Sequence, residues 1–220
     1  MDPPFVPYAP ERLPEGEMRY RAQAFLELVQ GRRSVRMFSP DPFPREVLEL
    51  CLETAGTAPS GAHKQPWTFV VVADPEVKRQ IRDAAEKAEK RFYEELAPDE
   101  WLRDLAPLGT DWVKTHLTDA PYLVVVFAQD YGLDSGGTRT RHYYVNESVG
   151  IAVGFFLAAV RDAGLCALTH TPAPMGFLKQ VLRRPENERA YVLIPVGYAA
   201  EGTRVPNLRR KPLAESVAWV

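Results

Sequence analysis

The sequence has few cysteines, little net charge and no long apolar run, and each of these absences excludes a class of protein. Its 220 residues include two cysteines, Cys51 and Cys166, and no C-x-x-C pair, which argues against a disulfide scaffold and against a metal site. The net charge of −2 provides no broad attraction for nucleic acid or for an anionic membrane surface. We therefore expect a protein of a reducing compartment, with no metal and no nucleic-acid partner.

The N-terminal segment MDPPFVPYAPERLPEGE lacks the basic and apolar regions of a signal peptide. The sequence contains no apolar stretch of about 20 residues, the length that a membrane span needs. The expected localisation is therefore the cytoplasm. Residues 1–16 are proline-rich and aperiodic, which predicts an extended N-terminal arm. Residues 17–220 have a length typical of one domain.

The rest of the chain predicts many helices and few strands. Apolar residues at helical spacing predict helices over 17–30, 44–55, 74–96 and 147–163, with shorter pieces within 99–117. Apolar runs rich in β-branched residues predict strands at 67–73, 121–129, 166–171 and 191–198, the first of them central, and a polar glycine-rich loop at 132–137. The helix over 147–163 is the most apolar of the predicted helices. Its small residues Gly150, Ala152 and Gly154 suit close packing against another helix, of this chain or of a partner chain.

Two short arginine clusters indicate local anion chemistry in a chain of low net charge. The first is RRSVR, with Arg32, Arg33 and Arg36 around Ser34, and the second is NLRRKP, with Arg210 near the C-terminus. Guanidinium groups match phosphate oxygens in two-point contacts. Taken alone, each cluster is more often solvated surface than a phosphate site.

Three further stretches could carry chemistry, although each has a plain structural explanation. The loop APSGAHKQPW is stiffened by two prolines, and Gly61 permits close approach of another group. The segment THTP ends a predicted strand, where ligands gather in α/β sheets. Glu89 and Tyr93 share a helix face, and with Lys114 they would suit a zwitterion.

Together, these segments resemble a known family. RRSVR, TAGTAPSGAHKQPWTFVV, HYYVNES, THTP, PVGY and VPNLRRKPL occur in this order, as in the nitroreductase-like flavoproteins and, among them, the iodotyrosine deiodinases of the soluble bacterial type. The resemblance runs from about Arg32 to the C-terminus. It implies an α+β nitroreductase-like fold, with a central mixed β-sheet surrounded by helices, in an intertwined homodimer that binds two FMN molecules at its interface.

The resemblance also implies roles for the residues of the motifs. The FMN phosphate and ribityl chain would be held by Arg32, Arg33, Ser34, Val35, Arg36 and Arg210. Pro59 and Ser60 of the other subunit would border the flavin. Thr169, His170 and Thr171 would pass the isoalloxazine ring, with the Thr171 hydroxyl at N5 as the catalytic contact. The family often has Thr at the position of His170, a departure of little weight if that contact is made by the backbone.

The substrate implied by the family is a halotyrosine, which would be dehalogenated with electrons from NAD(P)H. Ala62 would donate its backbone N–H to the phenolate oxygen, while Glu89, Tyr93 and Lys114 would bind the ammonium and carboxylate within a lid over residues 89–117. A flavin reductase is a further candidate partner, and no role follows for His63. Two alternatives remain open: a general FMN nitroreductase or quinone reductase, and a non-catalytic protein that binds flavin or halotyrosine.

Overall fold

The computed structural model describes residues 5–220 in two units, of which the first ends at Arg32 and the second comprises Arg33–Val220. In the first unit, residues 5–14 have no regular secondary structure, and helix α1 begins at Glu15, two residues before the predicted start. None of the α1 residues Glu15–Gln30 is buried. The first four residues of the predicted arm lie outside the described residues, and a single domain over 17–220 stays a prediction.

The helices agree closely with the helical spacing of the sequence. Within residues 5–220 they are α1 (Glu15–Gln30), α2 (Arg45–Gly56), α3 (Pro75–Arg91), α4 (Asp99–Leu105), α5 (His116–Asp119), α6 (Val145–Asp162) and α7 (Gly176–Val181). The predicted helix over 74–96 is α3 followed by a π-helical turn, Phe92–Leu96. Short 3₁₀ turns occur at Gly61–His63, Ala106–Leu108 and Leu213–Glu215.

The strands form a four-stranded sheet and a separate hairpin. They are β1 (Trp67–Val72), β2 (Tyr122–Gln129), β3 (Tyr131–Leu133), β4 (Arg139–Arg141), β5 (Cys166–Ala167) and β6 (Glu188–Gly197). The main sheet has the order β1–β2–β6–β5, and each of its strand pairs is antiparallel. The hairpin of β3 and β4 contains the predicted glycine-rich loop, of which residues 132–133 belong to β3 and residues 134–137 lie between the two strands.

The structure corrects three expectations about the sheet. The sheet was expected to be mixed, but all of its strand pairs are antiparallel. The one parallel pairing within residues 5–220 is an isolated bridge of Ser34 with Ala167. The strand β1 lies at an edge and not at the centre. Its apolar composition is explained by packing on both of its faces, since Phe69 packs against one core and Val70 against the other. The strand predicted over 166–171 is regular for two residues only, after which His170 forms an isolated bridge with Leu193.

Alternating residues of the central strands pack against helices on both faces of the sheet. Val124 and Val126 of β2 belong to a core shared with α2 and α6. Leu123 and Val125, on the opposite face, belong to a core shared with α3 and α7. Both cores consist of buried side chains from elements far apart in the sequence. The segment after β5 is held to the sheet by the bridge of His170 with Leu193, a residue of the second core.

None of the helices within residues 5–220 combines the length and apolar character that a membrane span needs. Cys51 and Cys166 are both free thiols.

Candidate active site

A cavity of about 340 Å³ brings residues from distant parts of the Arg33–Val220 unit together. One wall is apolar and aromatic and comes from the predicted lid, with Phe92, Trp101, Leu105 and Leu108 among its residues. The polar residues of the lining are Arg36, Glu89, Tyr93, Thr110, Lys114, Thr169, His170 and Thr171. The cavity therefore has an aromatic face for a flat apolar group and charged groups for the ends of a ligand.

Helix α3 places Glu89 at the cavity through a regular buried stripe. Asp74 caps the helix by accepting hydrogen bonds from the N–H groups of Glu76 and Val77. Ile81, Ala85 and Glu89 then recur every four residues on the buried face, so the same spacing that anchors the helix in the core carries a carboxylate to its end. The π-helical turn that follows contains Tyr93.

Both carboxylate oxygens of Glu89 have basic partners. Glu89 Oε1 lies 2.6 Å from His170 Nε2, and Glu89 Oε2 lies 2.6 Å from Lys114 Nζ. Burial alone would raise the pKa of the Glu89 carboxyl, but the hydrogen bonds from His170 and Lys114 outweigh burial, so that the pKa lies below its ordinary value. Glu89 is therefore an ionised carboxylate held inside the protein.

Lys114 is the cationic partner in this pair, and only 3% of it is exposed. Its ammonium also donates to Asp111 O, and it lies 5.7 Å from the centre of the Tyr93 ring. Its backbone N–H donates to Glu86 Oε1 at 2.8 Å, which ties the segment before α5 to α3. The three residues predicted to bind a zwitterion therefore lie together.

A buried histidine extends the cluster away from the cavity. His116 Nε2 lies 3.5 Å from His170 Nδ1, and the two rings meet edge to face with their centroids 5.2 Å apart. Burial, together with the nearby charges of His170 and Lys114, lowers the pKa of His116 to about 3. His116 is thus neutral at physiological pH.

The THT segment presents two hydroxyl groups to the cavity. Thr169 and Thr171 are exposed, both line the cavity, and no hydroxyl partner is found for either within residues 5–220. Between them, the backbone of His170 pairs with Leu193 through hydrogen bonds of 2.8 and 2.9 Å. The sheet therefore fixes this segment and leaves both hydroxyl groups available to a ligand.

The structure brings the two arginine clusters close together. Arg33 Nη2 donates to Pro206 O, so the first cluster contacts the segment that carries Arg210. Arg36 lines the cavity, and burial lowers the pKa of its guanidinium, yet within residues 5–220 it has neither a hydrogen bond nor an ion pair. A half-buried cation of this kind is suited to an anionic ligand.

The other residues of the first cluster have different positions. Ser34 forms the bridge with Ala167. The Val35 side chain is buried in a small core with Phe38 and Leu168, and its N–H donates to Ala167 O at 3.3 Å. Any contact of Val35 with a cofactor would therefore involve its backbone carbonyl. Arg32 is the last residue of the first unit.

The APSGAH loop has an unusual backbone. Ala62, His63 and Gln65 have φ values of 50°, 54° and 46°, in the left-handed region that side chains disfavour. The loop passes directly over the start of α6, and a Cβ on Gly61 would lie 2.5 Å from Tyr143 O. This position therefore has room for glycine and for no larger residue. The strained residues are exposed.

Two N–H groups of this loop, those of Ser60 and Ala62, have no acceptor within residues 5–220. Gly61 donates to Ser148 Oγ, His63 to Ser60 O, Lys64 to Gly61 O and Gln65 to Ser60 Oγ. The N–H of Ala62 has no acceptor within residues 5–220, as expected of a group that binds a ligand. Pro59, Ser60 and Ala62 do not line the cavity of the same chain.

Two features of the site were not predicted from the sequence: the aromatic wall and the contact of His170 with Glu89 and His116. The aromatic wall could have been noticed from the density of Phe, Tyr and Trp over 92–101, a segment otherwise rich in charge. The sequence contains no local signal for the contacts of the His170 side chain, because these contacts join residues that are 54 and 81 positions apart. The position of His116 beside His170 is one of them.

Comparison with known proteins supports one relationship along nearly the whole chain. A model of the nitroreductase family matches residues 29–198. The iodotyrosine deiodinase of Haliscomenobacter hydrossis is 55% identical over 212 residues, which are 96% of each chain. Human iodotyrosine deiodinase 1 is 44% identical over 216 residues, which are 98% of this chain and 75% of the human protein.

Solved structures show the same relationship. Oxidised iodotyrosine deiodinase bound to FMN and 3-iodo-L-tyrosine superposes with a TM-score of 0.75 at 32% identity, over 89% of this chain and 100% of that one. A nitroreductase with bound FMN from Bacteroides fragilis has a TM-score of 0.65 at 23% identity, over 89% of this chain and 98% of that one, and so shares the fold.

Proposed function

Because the chain belongs to the iodotyrosine deiodinases of the nitroreductase family, we propose that it reductively removes halogen from halotyrosines, using FMN, and releases tyrosine and halide. The observation that carries this proposal is the shared cavity of Glu89, Tyr93 and Lys114 with the THT segment. A zwitterion-binding set beside a flavin-binding segment suits an amino acid substrate and distinguishes the site from that of a general nitroreductase.

The residues of this chain fit FMN at one end of the cavity. Within residues 5–220, Arg36 has no anionic partner and the hydroxyl groups of Thr169 and Thr171 have no hydrogen-bond partner. The contact of Arg33 with Pro206 brings the second arginine cluster close. We assign the phosphate and ribityl contacts to the arginine clusters and Ser34. The Thr171 hydroxyl is assigned to the reactive edge of the flavin ring. When bound, FMN supplies the electrons for reduction of the carbon–halogen bond.

Substrate binding exchanges one ion pair for two. Glu89 and Lys114 are paired with each other at 2.6 Å, and an incoming zwitterion would place its ammonium at Glu89 and its carboxylate at Lys114. Neither charged side chain is then left buried without a partner, which would be costly. The aromatic wall covers the ligand, and closure of this wall excludes water from the reacting ring.

The phenol end of the substrate is assigned to the N–H of Ala62, which has no acceptor within residues 5–220. This donor favours the phenolate form, and a halogen next to the hydroxyl lowers the phenol pKa. Halotyrosines should therefore bind better than tyrosine near neutral pH. Because Ala62 does not line the cavity of its own chain, we assign this contact, with those of Pro59 and Ser60, to the partner subunit of a homodimer.

The surface of α6 supports this dimer. Ile151 and Phe155 are 41% and 40% exposed, one helical turn apart on the most apolar helix, and a Cβ on Gly154 would meet no atom within 4 Å. Such an uncovered apolar stripe is typical of a protein interface. Light scattering should therefore give the mass of a dimer, and Phe155→Glu should shift the mass toward a monomer.

The electrons are proposed to derive from NAD(P)H, directly or through a flavin reductase, in the cytoplasm, where free thiols such as Cys51 and Cys166 persist.

The experiment that tests the function uses the purified FMN-loaded protein. It is reduced with dithionite under anaerobic conditions, mixed with 3-iodo-L-tyrosine, and assayed for flavin reoxidation, tyrosine and iodide. Equal amounts of tyrosine and iodide per oxidised flavin are expected. Reoxidation by a nitroarene but not by iodotyrosine would instead identify a general nitroreductase, and binding without turnover of any acceptor would identify a binding protein.

A further inference from the structure

His170 lines the cavity, and its backbone belongs to the sheet. Its N–H donates to Leu193 O at 2.8 Å, and its carbonyl accepts from Leu193 N–H at 2.9 Å. Both backbone polar groups are therefore committed to the sheet. What His170 offers to the cavity is its imidazole.

The imidazole joins the sheet to the lid carboxylate. Nε2 lies 2.6 Å from Glu89 Oε1, and Glu89 is an ionised carboxylate that can only accept a hydrogen bond. The hydrogen of this contact therefore belongs to His170 Nε2. The short distance is typical of a hydrogen bond strengthened by charge.

His116 supports this arrangement from behind. Its Nε2 faces His170 Nδ1 at 3.5 Å, and because His116 is buried and neutral it can either donate a hydrogen to Nδ1 or accept one. His170 can therefore keep its hydrogen on Nε2, directed at Glu89, in either protonation state. Only 5% of His116 is exposed, so solvent does not compete for this position.

We propose that His170 is a positioning residue for the amino group of the substrate, because it holds Glu89 Oε1 while Oε2 is transferred from Lys114 to the substrate ammonium. This inference rests on the proposed function. Lys114 must leave Glu89 in order to bind the substrate carboxylate, and at that moment His170 is the protein group that keeps the Glu89 carboxylate in place. The contact also fixes the end of α3 against the segment that carries Thr169 and Thr171.

The test compares two amide variants that differ in reach. In His170→Gln the amide nitrogen occupies roughly the position of Nε2 and can still donate to Glu89. In His170→Asn it occupies roughly the position of Nδ1 and faces His116 instead. The affinity of the oxidised, FMN-loaded protein is measured by calorimetry for 3-iodo-L-tyrosine and for 2-iodophenol, which lacks the amino acid group, after circular dichroism and flavin content have verified each variant.

We expect His170→Asn to weaken binding of 3-iodo-L-tyrosine at least tenfold, because a hydrogen bond to a charged group is lost, and to change binding of 2-iodophenol less than twofold. His170→Gln should remain within about threefold of wild type for both ligands. Unchanged iodotyrosine affinity in His170→Asn, an equal loss for both ligands, or a Gln variant as weak as the Asn variant would each overturn the inference. A wild-type protein that binds iodotyrosine no better than iodophenol would overturn the proposed function itself.

Discussion

Replacing Glu89 by glutamine tests the pair of charges at the centre of the cavity. The substitution keeps the size of the side chain and one acceptor oxygen, but removes the negative charge that both His170 and Lys114 contact at 2.6 Å. In the variant, the substrate ammonium would meet a neutral amide, and Lys114 would lack its carboxylate before the ligand arrives. Binding should therefore weaken.

The burial of both partners determines the magnitude. Glu89 is 8% and Lys114 is 3% exposed, so solvent screens their interaction little. Removing one member of a buried, hydrogen-bonded charge pair reduces binding by about 2–5 kcal/mol. Because glutamine retains an acceptor, we expect the lower end of this range, about 2 kcal/mol, which corresponds to roughly a thirtyfold loss of affinity.

The assay is a calorimetric titration of the oxidised, FMN-loaded protein with 3-iodo-L-tyrosine. Glu94→Gln is the matched control, because Glu94 lies in the next turn, is exposed and does not line the cavity. The control should bind as the wild type does. An affinity of Glu89→Gln within about twofold of wild type would refute the assignment of Glu89 to the substrate ammonium.

Three further predictions concern other parts of the site. The pKa of His116 is lowered to about 3 in the folded protein, so as the pH falls the unfolded chain binds a proton at this histidine before the folded protein does. The free energy of unfolding should therefore fall by about 2 kcal/mol between pH 7 and pH 5 through this group. In urea unfolding, His116→Gln should lose less stability than the wild type over this pH range, by that amount. Gly61→Ala places a Cβ 2.5 Å from Tyr143 O and should destabilise by about 1–3 kcal/mol, whereas Gly56→Ala, where a Cβ meets nothing within 4 Å, should not lower the urea midpoint. Thr171→Ala should slow tyrosine release in rapid-mixing experiments at least tenfold while iodotyrosine affinity stays within twofold, and an unchanged rate would remove Thr171 from the catalytic contact.

Much of the fold could be predicted because its elements bury their apolar residues in regular patterns. The α2 and α6 helices repeat apolar side chains at helical spacing, and β2 and β6 are apolar runs buried on both faces. Short elements were harder: α7 has six residues and β5 has two, too few to show a period. The edge position of β1 depends on which strands pair, which its own residues do not encode.

The site was less visible in the sequence than the fold. Each motif alone was better explained as surface or as a rigid loop, and only their combined order predicted that they belong together. The structure brings Arg36, Glu89, Tyr93, Lys114 and the THT segment to one cavity. It does not bring the Ala62 loop there within one chain, and the histidine pair could not be inferred because its partners are distant in sequence.

The ion pair of Glu89 and Lys114 has a consequence for the ligand selectivity of the cavity. The amino acid end of a ligand brings one positive and one negative charge, so binding leaves the net charge of this cluster unchanged, and its affinity should depend little on ionic strength. A halogenated tyramine would satisfy Glu89 but leave Lys114 without a carboxylate, and a halogenated phenylpropionate would do the reverse. We therefore expect the pair to select free amino acids over the amines, acids and peptides that share the same halogenated ring.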